Sequence, residues 1–146
     1  MDDIEQIKQL KARYFRFMDG KDWAAYRTVF TDDVLFDVRG GMEATPAEPS
    51  YPEPAIEGAD AAVAFIQRGL GHRTSAHQGF LPEITLTGPD SATGIWAMTD
   101  VLRAGEGDPF RTVRGYGHYH EDYRKVGGEW KIARLRLTRL IVDIEA

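Results

Sequence analysis

The chain contains no cysteine among its 146 residues, which removes disulfide bracing, a thiolate nucleophile and thiolate-bound metal. Apolar runs extend only a few residues, far short of the ~20 that a membrane-spanning helix requires. Basic residues are in deficit: Lys and Arg total 18 against 23 Asp and Glu, for a net charge of −5. Nucleic acid is therefore not an expected partner, because its recognition needs a basic footprint. Histidine is also scarce, at four residues. His118 and His120 alternate at strand spacing, but no third ligand is evident, and no metal is expected. The opening Met1-Asp-Asp-Ile-Glu is acidic where a secretory leader is basic and then apolar. The expectation is a cytoplasmic protein with no membrane contact and a small-molecule partner.

With 42% hydrophobic and 28% charged residues, the composition is that of an ordinary globular domain spanning 1–146. Ile4, Ile7, Leu10, Tyr14, Phe17 and Met18 recur every three or four residues and predict a helix over 2–18, closed by a left-handed Gly20. Asp22 is placed to cap a second helix carrying Trp23, Tyr26, Val29 and Phe30. A short strand follows at 32–38. Residues 39–56 hold four prolines and two glycines, the composition of a long loop able to cover a pocket mouth. A third helix is expected over 59–70.

The second half reads as strands near 74–87, 92–104, 110–126 and 129–143, punctuated by Gly88-Pro-Asp-Ser91, Gly105-Glu-Gly107 and Gly127-Gly128. Helices first and long strands afterwards predict an α+β fold. The glycine pair suggests a two-residue hairpin with Val126 opposite Glu129. An unbroken ladder would then put Tyr123, Glu121 and Tyr119 on one face with Trp130, Ile132, Arg134 and Arg136. Glu121 and Arg134 would form a cross-strand ion pair on that face. The opposite face would carry His118, His120, Leu135 and Leu137 and suit a subunit contact. A single bulge would exchange the two faces.

Three residues carry chemistry. Tyr14 and Asp19 lie at the end of the first helix, and His77 lies far downstream in Thr74-Ser-Ala-His77-Gln. A phenol, a carboxylate and an imidazole can together move protons on an organic molecule. Each has a plainer alternative: Tyr14 as a core phenol with a satisfied hydroxyl, and His77 as a structural imidazole. Asp19 faces the negative end of a helix and gains nothing there, which argues for a role elsewhere.

Several fragments, in this order and spacing, carry a resemblance over almost the whole chain. They are Leu10-Lys-Ala-Arg-Tyr-Phe, Lys21-Asp-Trp23, Phe30-Thr-Asp-Asp-Val-Leu-Phe-Asp37, Gly58 before the third helix, and Thr74-Ser-Ala-His77. Ala92-Thr-Gly-Ile-Trp96, Gly117-His-Tyr119-His-Glu-Asp-Tyr123 and Gly128-Glu-Trp-Lys-Ile-Ala-Arg134 complete the set. The chain resembles the SnoaL-like group of the nuclear transport factor two-like superfamily, in particular its scytalone dehydratase and bile acid 7α-dehydratase types. The resemblance implies a cone-shaped single domain, with three N-terminal helices packed on a curved antiparallel or mixed sheet. It implies a cofactor-independent dehydratase or isomerase acting on a hydrophobic cyclic metabolite such as a polyketide or steroid. A cyclase-type aldol catalyst and a non-catalytic binding or assembly subunit are the alternatives on the same fold.

In the dehydratase reading His77 exchanges protons, Asp19 fixes its tautomer, and Tyr14 donates to a developing oxyanion. Arg136 is the match to a last-strand arginine and would hold a carboxylate or an enolate. Trp23, Tyr26, Phe80, Trp96 and Tyr119 would form an aromatic wall. The resemblance further implies a homodimer or homotrimer joined through the sheet face.

Overall fold

Asp2 begins the first helix by accepting the Glu5 amide at 2.8 Å, and α1 runs over Asp3–Asp19. Ile7, Leu10, Lys11, Tyr14 and Met18 form its buried stripe. The helix stops one residue beyond the expected place. Gly20 keeps a right-handed conformation, and Lys21, at φ 57°, takes the left-handed one. Lys21 N–H donates to Met18 and Asp22 N–H to Phe17, the paired bonds that satisfy a helix end. The Lys21 ammonium, donating to the Leu70 carbonyl at 2.8 Å, ties this turn to the third helix. Asp22 caps α2 (Trp23–Arg27) through the Ala25 amide at 3.1 Å, as its position predicts, but the helix closes at Thr28, before the Val29 and Phe30 expected on it.

The computed structural model describes residues 1–42 and 51–146. After α2 come β1 (Phe30–Asp37), a two-residue β2 (Ile56–Glu57) and α3 (Ala59–Leu70). The last four strands are β3 (Thr74–Gly88), β4 (Ser91–Arg103), β5 (Thr112–Val126) and β6 (Glu129–Glu145). They form one mixed six-stranded sheet of order β2-β1-β6-β5-β4-β3, in which only β1 and β6 are parallel neighbours. Residues 43–50, the centre of the proline-rich stretch expected as a covering loop over 39–56, fall outside the described residues.

The Gly127-Gly128 turn uses two left-handed glycines, and Val126 faces Glu129 as expected. The ladder holds to Tyr123 opposite Ile132. It then skips Ala133, so Asp122 faces Arg134, Glu121 faces Leu135 and Tyr119 faces Leu137. This bulge exchanges the faces of β6 beyond it, because side chains alternate with period two. Leu135 and Leu137 therefore enter the core, and Arg134 and Arg136 turn outward. The expected Glu121–Arg134 pair does not form. Glu121 instead meets Lys11 of α1 at 2.6 Å, with both side chains fully buried.

A second irregularity leaves Leu140 unpaired on β6. A third, between Phe80 and Glu83 on β3, contains Leu81 at φ 41° and 90% exposed, followed by Pro82. The helices cover one face of the sheet. Between them lies an aromatic cluster in which Tyr14 sits 5.4 Å from Tyr26, 5.7 Å from Tyr119 and 6.0 Å from Phe30, between ring centres.

Candidate functional site

Asp19 ends α1 with its carboxylate over the start of β3. One oxygen accepts from the Ser75 hydroxyl at 2.8 Å and from His77 Nδ1 at 2.6 Å; the other accepts from the His77 backbone N–H at 2.7 Å. A carboxylate accepts, so Asp19 takes the Nδ1 proton in a hydrogen bond, and when the ring is neutral Nε2 is its basic nitrogen. Nε2 faces Asp100 on β4, its cross-strand neighbour, at 3.5 Å from Oδ2. Asp100 is itself clamped by Arg139 of β6, at 2.7 Å and 3.1 Å from the two guanidinium nitrogens. Arg139 also donates to the Gly41 carbonyl at 3.0 Å.

This pair depends on a glycine. A side chain at Gly115 of β5 would run into both the Arg139 guanidinium and the Asp100 carboxylate.

His77, Asp100 and Arg139 border a cavity of about 230 Å³. Tyr14 and Tyr119 form its polar back wall, and Met18, Phe65, Ile66, Leu70, Leu102 and Leu137 supply apolar walls. Val38, Gly41 and Met42 lie along one side, and Arg73 stands at the rim. Behind the phenols, the Lys11 ammonium lies over the rings of Tyr14 and Tyr119, 3.7 Å and 3.6 Å from their centres. Burial pulls Lys11 down to about 8 against the opposing pull of Glu121. Burial also pushes the Tyr14 and Tyr119 hydroxyls well above the ordinary phenol range, so both stay protonated donors at neutral pH.

Of the residues singled out in the sequence, Tyr14, His77 and Tyr119 line the cavity, and Asp19 stands directly behind His77. Tyr26 is fully buried behind Tyr14, and Trp23 packs edge-on against Tyr26 one layer further out. Trp96 is buried with its indole N–H on the Tyr123 hydroxyl at 2.9 Å and does not line the cavity. Phe80 is 46% exposed on β3. Arg136 lies on the uncovered face, in a shallow groove with Arg134 and His120. His118 and His120 share that face, and His120 Nε2 meets the Thr138 hydroxyl at 3.0 Å. Among the described residues, no three His, Cys, Asp or Glu side chains gather as a metal set.

Ser75, Asp100 and Arg139 were not anticipated. Asp100 did leave a trace: it shares parity with Trp96, Met98 and Leu102 and is the one acidic residue on that inward row. Arg139 left none, because the bulge at Ala133 hides its parity.

The SnoaL-like domain profile matches residues 1–136. A protein of Gibberella zeae named as a probable cyclase, FGR4, is 30% identical over 138 residues, covering 92% of this chain and 89% of its own. Among solved structures, a scytalone dehydratase-like protein of Novosphingobium aromaticivorans superposes with a TM-score of 0.77 at 19% identity. That match covers 96% of this chain and 85% of the other. A type 2 hexachlorocyclohexane dehydrochlorinase, LinA, gives 0.79 at 16% identity over 97% and 88% of the two chains. A protein of Kribbella flavida gives 0.81 at 18% identity over 97% and 93%. The structural likenesses establish the shared fold, and the profile match over nearly the whole length places this chain in the SnoaL-like family.

Proposed function

We propose that the chain is a cofactor-independent lyase that eliminates water from a hydrophobic, cyclic, oxygenated metabolite by general acid–base catalysis. The observation that carries this reading is the Asp19–His77 pair, which presents a basic Nε2 to a cavity backed by two protonated phenols. Nε2 takes a proton from the carbon beside a carbonyl. Asp19 steadies the resulting imidazolium, and Tyr14 or Tyr119 donates to the enolate oxygen. The enolate then expels the β-hydroxyl, which leaves as water with the proton returned from Nε2. The C–H and C–O bonds break and a C=C bond forms. A cavity of about 230 Å³ lies below the ~300–1,000 Å³ usual for drug-sized ligands. It favours a compact ring system over a four-ring steroid.

The similarity to a probable cyclase favours a second reading. The same enolate would attack another carbonyl of the same molecule, forming a C–C bond, and the alkoxide would recover the proton from His77. Product mass separates the two, since elimination loses one water and the aldol step loses nothing. The assembly reading loses its anchor, because Leu135 and Leu137 lie in the core. Subunit association through the uncovered face now rests on Tyr116 and Ile141, which are 40% and 51% exposed and face each other across β5 and β6.

The deciding experiment screens wild type and His77→Ala against hydroxylated one- to three-ring ketones by native mass spectrometry, with product mass read after incubation. Conversion by wild type, with binding but no conversion by His77→Ala, is expected. Equal conversion by both proteins would refute the proposal.

A further inference from the structure

Two guanidiniums border the cavity, and both are already engaged. Arg139 is held by Asp100 at 2.7 Å and 3.1 Å. Arg73 at the rim is held by Asp108 at 2.8 Å and 3.0 Å. Each arrangement is a two-bond fork, the geometry in which arginine grips a carboxylate most firmly. Asp19 adds a third carboxylate behind His77. Two cations and three anions leave this set at −1 while His77 is neutral. Arg136, the side chain the sequence offered for gripping a substrate carboxylate, lies on the other face of the sheet.

We infer that Asp100 is the charge-selecting residue of the cavity: by occupying Arg139 it makes the site one for uncharged ligands and excludes carboxylates and phosphate esters. An anionic ligand would have to displace a buried carboxylate from its arginine or lie uncompensated beside it. Like charges brought together in this way discriminate strongly between partners. A neutral ketone or phenol meets no such barrier, and the Tyr14 and Tyr119 hydroxyls and His77 offer it hydrogen bonds. The pairing is built into the sheet. His77 and Asp100 are cross-strand neighbours, Gly115 continues that row, and its missing side chain leaves the space the guanidinium fills.

The inference names the ligand class of the cavity proposed above as the active site, but its test reads binding alone. A protein that binds without turnover would obey it equally. The intact chain is titrated calorimetrically at neutral pH with naphthol and with the naphthoate of the same substitution pattern. Only naphthoate that naphthol displaces is counted, which sets aside binding at Arg134 and Arg136. Wild type is expected to prefer naphthol by roughly tenfold or more. Asp100→Asn keeps the shape, removes one negative charge and loosens Arg139, so it should shrink or invert that preference. Should Asp100→Asn fail to fold, Asp100→Ser removes the same charge from Arg139 and is read in the same way. Equal binding of both probes by wild type overturns the inference. So does an unchanged preference in the folded variant, or a failure of naphthol to bind.

Discussion

At the last residue of a helix a carboxylate meets the negative end of the peptide dipoles, so Asp19 is held in place by what it accepts from β3. Three donors converge on it, two of them from His77. Asp19→Asn presents an amide that can donate as well as accept, and it no longer enforces the Nδ1 proton. Turnover is expected to fall by about 10²–10⁴-fold with a melting temperature close to wild type, as steady-state rates and a thermal melt would show. Lys11 poses the opposite case, a fully buried ammonium answered by Glu121 and by two ring faces. Lys11→Met strands the carboxylate and should cost ~3–5 kcal/mol. Lys11→Met with Glu121→Gln should recover much of that loss in urea denaturation. If the double variant proves no better than the single, the ion pair is not the source of the loss.

At the scale of elements, most strand and helix limits were legible, but α2 stops at Arg27, short of the expected Val29 and Phe30, and the two-residue β2 was not anticipated. α3 begins and ends where its apolar spacing places it, and the strands differ from expectation by a few residues at their ends. The hairpin turn was legible because two adjacent glycines between strands favour one turn geometry. The inward side of β6 was readable only as far as Ile132. Nothing in Ile132-Ala-Arg134-Leu marks Ala133 as the extra residue, and that single step decides whether Arg136 or Arg139 reaches the cavity. Tyr14, Asp19 and His77 were readable through the family resemblance, since their approach depends on α1 crossing β3, which no local pattern encodes. The glycines of β5 offer a test of how tightly this part of the sheet is drawn. A side chain at Gly117 would meet the Thr138 backbone, whereas one at Gly115 would meet side chains. Both alanine variants should lose about 1–3 kcal/mol, with Gly117→Ala the worse in chemical denaturation, because backbone yields less than a guanidinium.

For the whole molecule, the interior holds Tyr14, Tyr26, Tyr119 and Tyr123, each with its hydroxyl pushed upward chiefly by burial. The folded chain therefore keeps these protons where the unfolded chain gives them up, near pH 10. Their contribution is intact below that pH and is lost above it, at up to ~1.4 kcal/mol per pH unit for each phenol. Lys11 acts in the other sense: pulled from 10.5 to about 8 in the fold, it adds stability as pH rises between those values. Melts from pH 8 to 11 should rise modestly at first and then fall steeply, with Tyr123→Phe making the fall shallower. A profile without that fall would contradict the assignment of these phenols to the interior. At the opposite edge of the sheet from β2, β3 leaves one margin unpaired. Its His77 amide is given to Asp19, Leu81 is twisted out of the extended form, and Pro82 has no amide to give. An incoming strand finds no continuous row of donors there on which to register. The carboxylate that holds His77 thus also blunts the sheet's margin against fibrillar growth, and Asp19→Asn should be watched in storage as well as in the rate assay.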